Sequence, residues 1–586
     1  MSPIELQALL RRAPVSDAGM AGLLAPVLAS NTSLSSAGFP YLSRRGWLHL
    51  RDRVPHVLGM GARAAACLAE LEDHVGDRDD VGDFHAAAQV VRQVLNTASI
   101  TAPPDLWLLR AVLGNLVDLG LVEGLVEGRV LRPAEVPTLR ADELDMDLCL
   151  LSVRGLLDRS PGPGFEVASE SARAVLSSAT GVDSRIPAGI AEGWAAAFTG
   201  SASAEDQEAI ALLGQAPPRR TQLEQESWVP TWEEIELGYR LVPLVLGLTH
   251  AGLVDRLLVE DVPAVLGDSA AADSATAILD AAGVLSDGAL TTIGRRVLQR
   301  GPGPFGIIGA YHPYMARLAE ITRRGRGSVH VRRGANIAAS QRANKTSFKR
   351  ANDALDAFCE RTGFRYPVFI EHALGRGEAT RQRHLRDGDA LQYVGADLEA
   401  QAIDASVALQ AAGRLPAGMV FIRADIGKPR DLLDALDARG IDSQGGVMLV
   451  GNGFHEVRGQ TDRGMVDVLR GYCEGGLVLL FTEETALSIA DQRDTAWNTY
   501  HSGFRYVHEK SGQGLRPADP SESDELPASW RECAETAGYV LVERFSRRGR
   551  SIFPFPQLGN RNPSTSVNFF AVPGPLAEGL GLVQAS

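Results

Sequence analysis

Apolar positions follow two different periods along the chain, and the change occurs near residue 350. Beyond that point, short apolar runs of the kind that forms buried strands alternate with stretches of helical spacing. Five such runs are residues 366–373, 390–397, 419–426, 446–453 and 476–484. This alternation predicts a parallel sheet covered by helices on both faces. Two final runs, 537–556 and 564–573, have no helical stretch between them and predict an antiparallel C-terminal hairpin.

The chain before residue 230 shows mainly the helical period, as in residues 84–98 and 105–125. The second run leads into an apolar turn at 128–136, which predicts a small hairpin wing after two helices. A polar stretch rich in proline, 214–231, predicts a linker. The sequence thus predicts three regions. They are a helical N-terminal region (1–230), a helical lid or dimerisation region (231–302) and a C-terminal α/β domain (303–586).

The middle region predicts a second winged-helix-like unit, because a helix ending near Gly283 precedes a Ser-Asp-Gly turn at 286–288. In DNA-binding proteins such a unit places a basic helix in the groove. Here the helix, residues 273–283, is acidic and apolar. We therefore favour a role in packing or in forming a homodimer over a role in DNA binding.

The composition is that of a globular protein, with 45% hydrophobic and 22% charged residues among 586. The net charge of −14 argues against a nucleic-acid partner. No apolar run reaches the ~18–20 residues that span a bilayer, and the first residues lack the order of a secretion signal. We therefore expect a cytoplasmic protein without a membrane partner. The basic segment 323–333 is either a solvated surface or a landing site for an acidic partner, such as a carrier protein.

The five cysteines are far apart and form no CxxC pair, so the sequence predicts neither a disulfide framework nor a zinc–thiolate site.

A glycine-rich turn follows the first predicted strand of the α/β domain. Glu371, Ala373, Gly375 and Gly377 stand there in the order E-x-A-x-G-x-G. The glycines let the backbone approach a ligand closely, and the N-terminus of the next helix favours a carboxylate. This pattern favours S-adenosylmethionine; a nicotinamide cofactor and a fold that binds neither remain alternatives.

Acidic residues end the next two predicted strands. Asp397 is placed to accept both ribose hydroxyls, and Asp425 to reach the adenine amino group, although a helix N-cap is the plainer role for Asp425. Because ligands of open α/β sheets bind at the carboxyl ends of the strands, three successive strand ends carrying acids predict one cofactor site.

Polar side chains crowd the end of the fourth predicted strand, where Asn452, His455, Glu456 and Gln460 lie close in sequence. His455 is predicted to act as a metal ligand or as a general base. The fifth strand ends in Thr482, Glu483 and Glu484. The segment 491–517 that follows is dense in polar and aromatic residues, namely Gln492, Trp497, Asn498, Tyr500, His501, Arg505 and His508. Core packing is the plainer role for Trp497 and Tyr500.

Further candidates precede the first strand. Tyr311 and His312 stand just before a predicted helix, and Arg332, Asn336 and Asn344 follow in a segment that is expected to close over the cofactor and contact its carboxylate. Exposure at the surface is the alternative for each.

Eight irregular strings carry a family resemblance across residues 300–572. They are AYHPYM, EHALGRGEAT, GADLEA, RADIGKP, GNGFHEVR, TEETAL, WNTYHSGFRY and SGQGLRPA. Together they resemble the methyltransferase domains that open the apratoxin and saxitoxin polyketide pathways. The resemblance implies an α/β class I (Rossmann-like) methyltransferase fold, and the N-terminal helical region is similar to the mainly helical lid that precedes those domains.

The resemblance also implies a chemistry, namely metal-dependent C-methylation of a malonyl thioester carried by an acyl carrier protein. An iron or manganese centre would acidify the α-carbon of the substrate. It implies His455 as the first metal ligand and Gln492 and His501 as the others. Candidates for orienting the substrate or stabilising the enolate are Tyr311, His312, Asn452 and Tyr500. Asn452 is also a candidate for contacting the cofactor.

Members of that family are followed by a decarboxylase-like and a carrier domain, which this sequence does not contain. We therefore expect action on a carrier protein in trans, or on a free small molecule. An O- or N-methyltransferase that uses His455 as base is the alternative within the same class. A regulatory protein that senses adenosylmethionine is the alternative outside it.

Overall fold

A computed structural model describes residues 1–35, 38–181, 189–218, 220–221, 223, 227–329, 334–557 and 563–582, with the backbone alone for 334–344. These residues form two compact units. The helical unit comprises Met1–Val331, Ile489–Lys510 and Ile552–Asn562. The sheet unit comprises Arg332–Ser488, Ser511–Ser551 and Pro563–Ser586.

The helices, in chain order, are α1 Pro3–Arg11, α2 Ala18–Leu28, α3 Arg44–Arg53, α4 Leu58–Val75, α5 Phe84–Asp118, α6 Val122–Val126, α7 Ala141–Val153, α8 Glu170–Ala179, α9 Ile190–Thr199, α10 Ala204–Leu213, α11 Trp232–His250, α12 Val254–Leu257, α13 Val262–Leu266, α14 Ala270–Ala281, α15 Thr292–Arg300, α16 Pro302–Gly309, α17 His312–Met315, α18 Leu318–Arg324, α19 Gly334–Thr362, α20 Glu378–Asp387, α21 Ala400–Ala411, α22 Pro429–Asp437, α23 Asp462–Glu474, α24 Ile489–Thr495, α25 His501–Lys510, α26 Trp530–Thr536 and α27 Gly574–Gly579.

The strands are β1 Thr32–Leu34, β2 Pro40–Leu42, β3 Leu157–Ser160, β4 Gly164–Val167, β5 Leu285–Ser286, β6 Ala289–Leu290, β7 Val368–His372, β8 Gln392–Asp397, β9 Val420–Arg423, β10 Val447–Gly451, β11 Val478–Glu484, β12 Tyr539–Leu541, β13 Arg547–Arg548 and β14 Ser566–Pro573. The first six form three small hairpins, and the other eight form one sheet.

The large sheet has the order β12-β14-β11-β10-β7-β8-β9, and β13 also pairs with β14. Strands β7 to β11 pair in parallel, whereas β14 runs antiparallel to β11, β12 and β13. Reversal of the strand order between β7 and β10 puts a crevice at the carboxyl ends of these strands. The α/β class is confirmed, and the sheet fits the class I methyltransferase fold.

The strands are apolar on both faces because helices cover both. Ile370, Met448 and Val450 pack in one buried cluster, while their neighbours Phe369 and Leu449 pack in the other. Every residue of β7 and β11 is buried. Continuous burial is why the sequence of these strands shows no alternation of apolar and polar residues.

The helical unit is built around α5, a 35-residue helix with Pro103 and Pro104 in its interior. It joins two stretches that look separate in the sequence. The unit also contains a fully buried ionic group, here called the Lys510 cluster. Lys510 Nζ lies 2.7 Å from Asp147 Oδ1 and 3.4 Å from Glu143 Oε2, and the Tyr506 hydroxyl donates to Asp147 at 2.7 Å.

One predicted wing is in the wrong place. Residues 128–136 contain a short 3₁₀ turn, Pro133–Glu135, and a single bridge from Leu131 to Phe165. The hairpin lies later, as β3 and β4, where Gly162 takes a φ of +89°. Pro133 favours the first position of a helical turn, while the Pro-Gly-Pro-Gly sequence at 161–164 supplies the reversal that the prediction overlooked.

The second wing lies where it was predicted. Asp287 and Gly288, with φ of +52° and +77°, connect β5 to β6. The three-region division of the chain stays a prediction, and the helical unit continues past the predicted boundary at 303 to Val331.

Candidate functional site

The loop between β7 and α20 has an unusual backbone. Ala373, Gly375 and Gly377 have φ of +57°, +54° and +71°. Two of the three are glycines, which adopt the left-handed region without steric cost. For Ala373 this conformation costs about 1–2 kcal/mol. A Cβ on Gly377 would approach the Leu415 side chain to 2.9 Å. The sequence therefore curls the chain tightly at the carboxyl edge of the sheet.

Glu371 binds the end of this loop that leads into α20. Its carboxylate accepts hydrogen bonds from the backbone N–H groups of Ala379, at 3.2 Å, and Thr380, at 2.6 Å, in the first turn of α20. Burial raises the pKa of Glu371 to about 7, although these hydrogen bonds act in the opposite direction. Glu371 thus shapes the loop, and its predicted contact with the cofactor stays a prediction.

Asp397 joins the same loop to the end of β8. One carboxylate oxygen accepts from the N–H of Gly375 at 3.0 Å, and the other accepts from the N–H of Glu399 at 2.9 Å. Burial raises the pKa of Asp397. The structure therefore brings together Gly375 and Asp397, as their positions at neighbouring strand ends predict.

Asp425 lies just beyond β9 and is half-buried. Its carboxylate accepts from the N–H of Gly427 at 2.9 Å and lies 3.5 Å from Lys428 Nζ. The N-cap position of α22 is Lys428, so Asp425 forms a turn and does not cap the helix. Its predicted contact with adenine stays a prediction.

His455 is held by a buried carboxylate. It lies in a 3₁₀ turn after β10 and is 3% exposed, and its Nδ1 is 2.7 Å from Glu483 Oε2 at the end of β11. The other oxygen of Glu483 accepts from the N–H of Phe454 at 2.7 Å. Burial raises the pKa of Glu483 to about 8, and backbone N–H groups of the turn lower it in part. The two side chains form a buried Glu–His pair.

A second carboxylate faces the other imidazole nitrogen. Glu456 Oε1 lies 3.7 Å from His455 Nε2, and the Glu456 side chain is 32% exposed. The Gln513 amide donates to Glu456 Oε2, and the N–H of Gly514 donates to the carbonyl of His455 at 3.1 Å. The returning segment after α25 thus fixes both Glu456 and the turn that carries His455.

Asn452 follows the last residue of β10 and lies in the left-handed region, with a φ of +52°. Its N–H donates to the carbonyl of Thr482 at 2.8 Å, and its side-chain amide lies 3.5 Å from Glu484 Oε1. Asn452 therefore lies at the same strand edge as the Glu–His pair.

Several other predicted residues belong to the helical unit. The Tyr311 hydroxyl lies 3.2 Å from His508 Nε2, and His312 packs edge-on against Trp107. His501 bonds to the Thr499 hydroxyl and stacks on Tyr500. The predicted role of Trp497 in core packing is confirmed. Its side chain is fully buried, and its indole N–H donates to the carbonyl of Trp228. The roles predicted for Tyr311, His312 and Tyr500 stay predictions.

The metal ligands predicted from the resemblance fall in different units. His455 is in the sheet unit, whereas Gln492 and His501, both buried, are in the helical unit. Over the residues that the structure describes, no group of three or more His, Cys, Asp and Glu side chains is placed to hold a metal ion. The predicted ligand set stays a prediction, and His455 has the carboxylate partner typical of a metal-ligating histidine.

Three predicted cofactor contacts cannot be placed. Arg332 lies outside the described residues, and the side chains of Asn336 and Asn344 do too, although their backbone is part of α19.

Two residues in this region had no role predicted from the sequence. Glu483 and Gln513 approach His455 and Glu456 only because β11 and the segment after α25 return to the same edge. The acidic end of a buried strand, Thr-Glu-Glu, was the available signal for Glu483.

His372 is a third residue for which the sequence predicted no role. Its Nδ1 accepts from the N–H of Ala373 at 2.9 Å, and burial lowers its pKa to about 4.

Within the described part of the chain, no helix is long and apolar enough to span a membrane.

Comparisons with known proteins give no family assignment. No protein-family model and no curated protein matches the sequence. Among solved structures, the CMeT domain of the citrinin polyketide synthase is similar over 83% of this chain and 94% of that one, at 12% identity and a TM-score of 0.34. The pyocyanin biosynthetic protein PhzM is similar over 55% of this chain and 91% of that one, at 15% identity and a TM-score of 0.31. Likenesses this weak assign no activity.

Proposed function

We propose that the chain is an S-adenosylmethionine-dependent methyltransferase in which His455 is the general base. The observation that carries the proposal is the 2.7 Å contact between His455 Nδ1 and Glu483 Oε2. This pair lies at the carboxyl edge of a sheet whose β7–α20 loop and Asp397 suit a nucleoside bearing an amino acid.

The residues of the sheet unit fit the cofactor. Positive φ angles at three loop positions open the backbone to close approach, and Asp397 is a buried acid beside them. When bound there, adenosylmethionine supplies an electrophilic methyl group on a sulfonium. Asp397 would hold the ribose hydroxyls and Asp425 the adenine amino group. The predicted contacts of Asn452, Arg332 and Asn336 complete the proposed site.

The Glu–His pair determines which nitrogen is basic. When Glu483 is ionised, it accepts the Nδ1 proton of His455, so Nε2 carries the lone pair. That nitrogen takes the proton from the acceptor while the acceptor forms its bond to the methyl group. Bound adenosylmethionine would supply the methyl group, and the electron pair of its carbon–sulfur bond would stay on sulfur. Adenosylhomocysteine and protonated His455 result.

For the acceptor, we propose a carbon acid of the malonyl-thioester type. Its α-proton is acidic enough for an imidazole base, and the resemblance noted from the sequence supports this class. A carrier protein would present it in trans. A hydroxyl or amine of a free small molecule remains the second candidate, because the same base serves it.

Iron or manganese bound at His455 Nε2 is the competing role for the same nitrogen. A carboxylate that orients a histidine suits a metal ligand as well as a base. Turnover of protein prepared with a chelator, compared with protein reloaded with iron or manganese, separates the two roles. Full activity without metal supports the base, and activity that requires metal rejects it.

Binding and turnover test the proposal together. Calorimetry should show adenosylhomocysteine binding to wild type. Mass spectrometry should show methyl transfer to malonyl-N-acetylcysteamine, to a malonyl-loaded carrier protein or to a phenol. His455→Ala should keep the binding and reduce transfer by about 10²–10⁴-fold.

The matched control is His384→Ala, which removes a half-buried histidine of the same unit whose Nε2 lies 3.1 Å from Asp389 and whose ring packs edge-on against Tyr393. It should leave both quantities unchanged. Binding without transfer to any acceptor would favour a protein that senses the cofactor, and no binding would reject the proposal.

A further inference from the structure

Charge is unevenly distributed along the chain. The first 53 residues contain six arginines, no lysine and three acidic residues, which gives their side chains a net charge of +3. The whole chain has a net charge of −14. A protein with this overall charge repels acidic partners at long range unless one part of its surface is basic. The N-terminal residues can provide such a surface.

Four of the six arginines are exposed and form no ion pair with the residues that the structure describes. We call these four residues the arginine face, and they are Arg11, Arg12, Arg45 and Arg53. The other two arginines differ, because Arg44 and Arg51 both pair with Asp494. The guanidinium groups of the arginine face are therefore available to the carboxylates of another protein.

Three of these side chains lie around His49 of α3. Arg45 and Arg53 stand four residues before and after His49, so all three lie on one face of the helix. His49 Nε2 lies 3.0 Å from the carbonyl of Leu23 in α2, and α2 packs against α1, which ends at Arg11. Burial lowers the pKa of His49, and the nearby charges of Arg53 and Arg11 lower it further. Arg11, Arg45 and Arg53 thus belong to one surface formed by α1 and α3.

Two exposed apolar side chains adjoin the arginine face. Ile4 of α1 is 80% exposed and shares a helix face with Arg11, which lies two turns further on. Phe39 is 60% exposed and precedes Arg45 closely, where the β1–β2 hairpin leads into α3. Arginine and aromatic side chains are enriched in protein–protein interfaces relative to the rest of the surface. The composition of this surface therefore fits a protein partner.

The basic segment noted in the sequence, 323–333, is a weaker docking surface. Arg324 lies 3.9 Å from Glu320, and Arg326 lies 2.8 Å from Glu143. These charges have carboxylate partners within the chain, and residues 330–333 lie outside the described part. Across the residues that the structure describes, the arginine face has no such partners.

We propose that the arginine face docks an acidic acyl carrier protein that presents the acceptor thioester. The proposal rests on the proposed function and names the surface to which its partner binds. Carboxylates of the carrier protein pair with the guanidinium groups, and Ile4 and Phe39 add apolar contacts at the edge. Because the chain as a whole is acidic, attraction at this one surface also orients the carrier protein as it approaches.

Kinetics with two acceptors test the proposal. The quadruple variant carries Arg11→Glu, Arg12→Glu, Arg45→Glu and Arg53→Glu. Its KM for an acidic, malonyl-loaded acyl carrier protein should rise about 30-fold or more, because the docking charges are reversed. KM and kcat for malonyl-N-acetylcysteamine, which has no protein to dock, should stay at the wild-type values. Glutamine at the same four positions should give a smaller rise, since it removes the charges without reversing them.

A matched control reverses the same number of charges elsewhere on the helical unit. It uses four arginines that are each about half-exposed or more and pair with their own acidic neighbours, in the changes Arg78→Glu, Arg92→Glu, Arg129→Glu and Arg256→Glu. The control has the same net charge as the quadruple variant. Its KM for the carrier protein should change by less than about threefold, because salt screens charges that lie away from the contact.

The outcomes separate this proposal from the proposed function. Equal KM values in wild type and the quadruple variant would overturn it, as would a wild type that methylates the free thioester but not the loaded carrier protein. Equal losses in the quadruple variant and the control would overturn it too, because net charge would then explain both. An unchanged KM together with lost binding to DNA or to phosphatidylserine vesicles would assign the arginine face to another partner. Methylation of neither acceptor would reject the proposed acceptor, and the docking with it.

Discussion

Each unit contains one buried group of ionisable side chains, and the two groups offset the free-energy cost of burying charge in different ways. The Lys510 cluster pairs its two carboxylates with an ammonium that is itself fully buried, and Tyr506 adds a hydrogen bond. The Glu–His pair contains no cation with a fixed charge, and burial raises the pKa of Glu483 to about 8. The first arrangement places a cationic side chain beside its carboxylates, whereas the second places an imidazole beside its carboxylate. Only the second can perform acid–base chemistry near neutral pH.

The largest expected effect tests whether Glu483 acts through its charge. In Glu483→Gln, the amide oxygen can still accept from Phe454, but its NH₂ group donates to His455 Nδ1. The imidazole proton then lies on Nε2, where the base is needed. Methyl transfer should fall by about 10²–10⁴-fold, as expected for a histidine in the wrong tautomer.

Kinetics with the best acceptor measure this loss, and ¹⁵N shifts of His455 report the tautomer. A variant with normal turnover would show that the charge of Glu483 is not required.

The next effect tests whether the Lys510 cluster serves stability alone. Lys510→Met leaves the buried Asp147 without its cation, although Glu143 keeps its ion pair with Arg326, and the loss should cost about 3–5 kcal/mol in the free energy of unfolding. Denaturant titration, followed by fluorescence, measures it. Lys349→Met removes an exposed ion pair of α19 with Asp353 and should cost less than about 1 kcal/mol. Equal losses in the free energy of unfolding would contradict the expectation that the buried Lys510 stabilises the fold more than the exposed Lys349.

The pH dependence of stability should separate the units. The pKa values of Glu371, about 7, and Glu483, about 8, are raised above the value of an unfolded glutamate. The folded sheet unit therefore binds more protons, and its stability falls as pH rises. Between pH 6.5 and 8 the combined loss should be about 2 kcal/mol, since one pKa unit corresponds to about 1.4 kcal/mol.

Thermal unfolding across this range measures the loss, and a double variant, Glu371→Gln with Glu483→Gln, should flatten it. A slope that persists in the double variant would place its origin elsewhere. Methyl transfer should change in the opposite direction and increase with pH to about 8, because Nε2 gains its lone pair when Glu483 ionises.

The smallest effect concerns the exposed part of the strand edge. Asp425→Asn keeps the hydrogen bond to the N–H of Gly427 but loses the charge that would attract the adenine amino group. The dissociation constant of adenosylhomocysteine should rise about tenfold, which corresponds to one charge-assisted hydrogen bond. Calorimetry of wild type and Asp425→Asn measures this dissociation constant. Unchanged affinity would limit Asp425 to its turn.

The sequence predicted those parts of the candidate site that lie at the carboxyl ends of the strands. The apolar runs that become β7 to β11 are long and bounded by turns, so both their number and their direction could be predicted. Because parallel strands end at one edge, Gly375 and Asp397 were expected to lie together, and they do. The polar character of residues 452–456 was visible for the same reason.

Contacts that depend on strand order could not be predicted. Glu483 meets His455 because β11 lies beside β10, and no local period shows that pairing. The helical stretches 84–98 and 105–125 were predicted as two helices, whereas α5 is continuous through Pro103 and Pro104. Residues 489–510 have ordinary helical spacing, which carries no information about the unit to which they belong.

The position of β14 has a consequence for synthesis of the chain. This strand, Ser566–Pro573, lies between β11 and β12, and not at the margin of the sheet. A ribosome that adds about 5–20 residues per second has to make residues 485–565 after β11 before the neighbour of that strand exists. During those seconds β11 presents an unpaired edge, which is a site for aggregation. Pairing with β14 covers this edge only when the last strand is made.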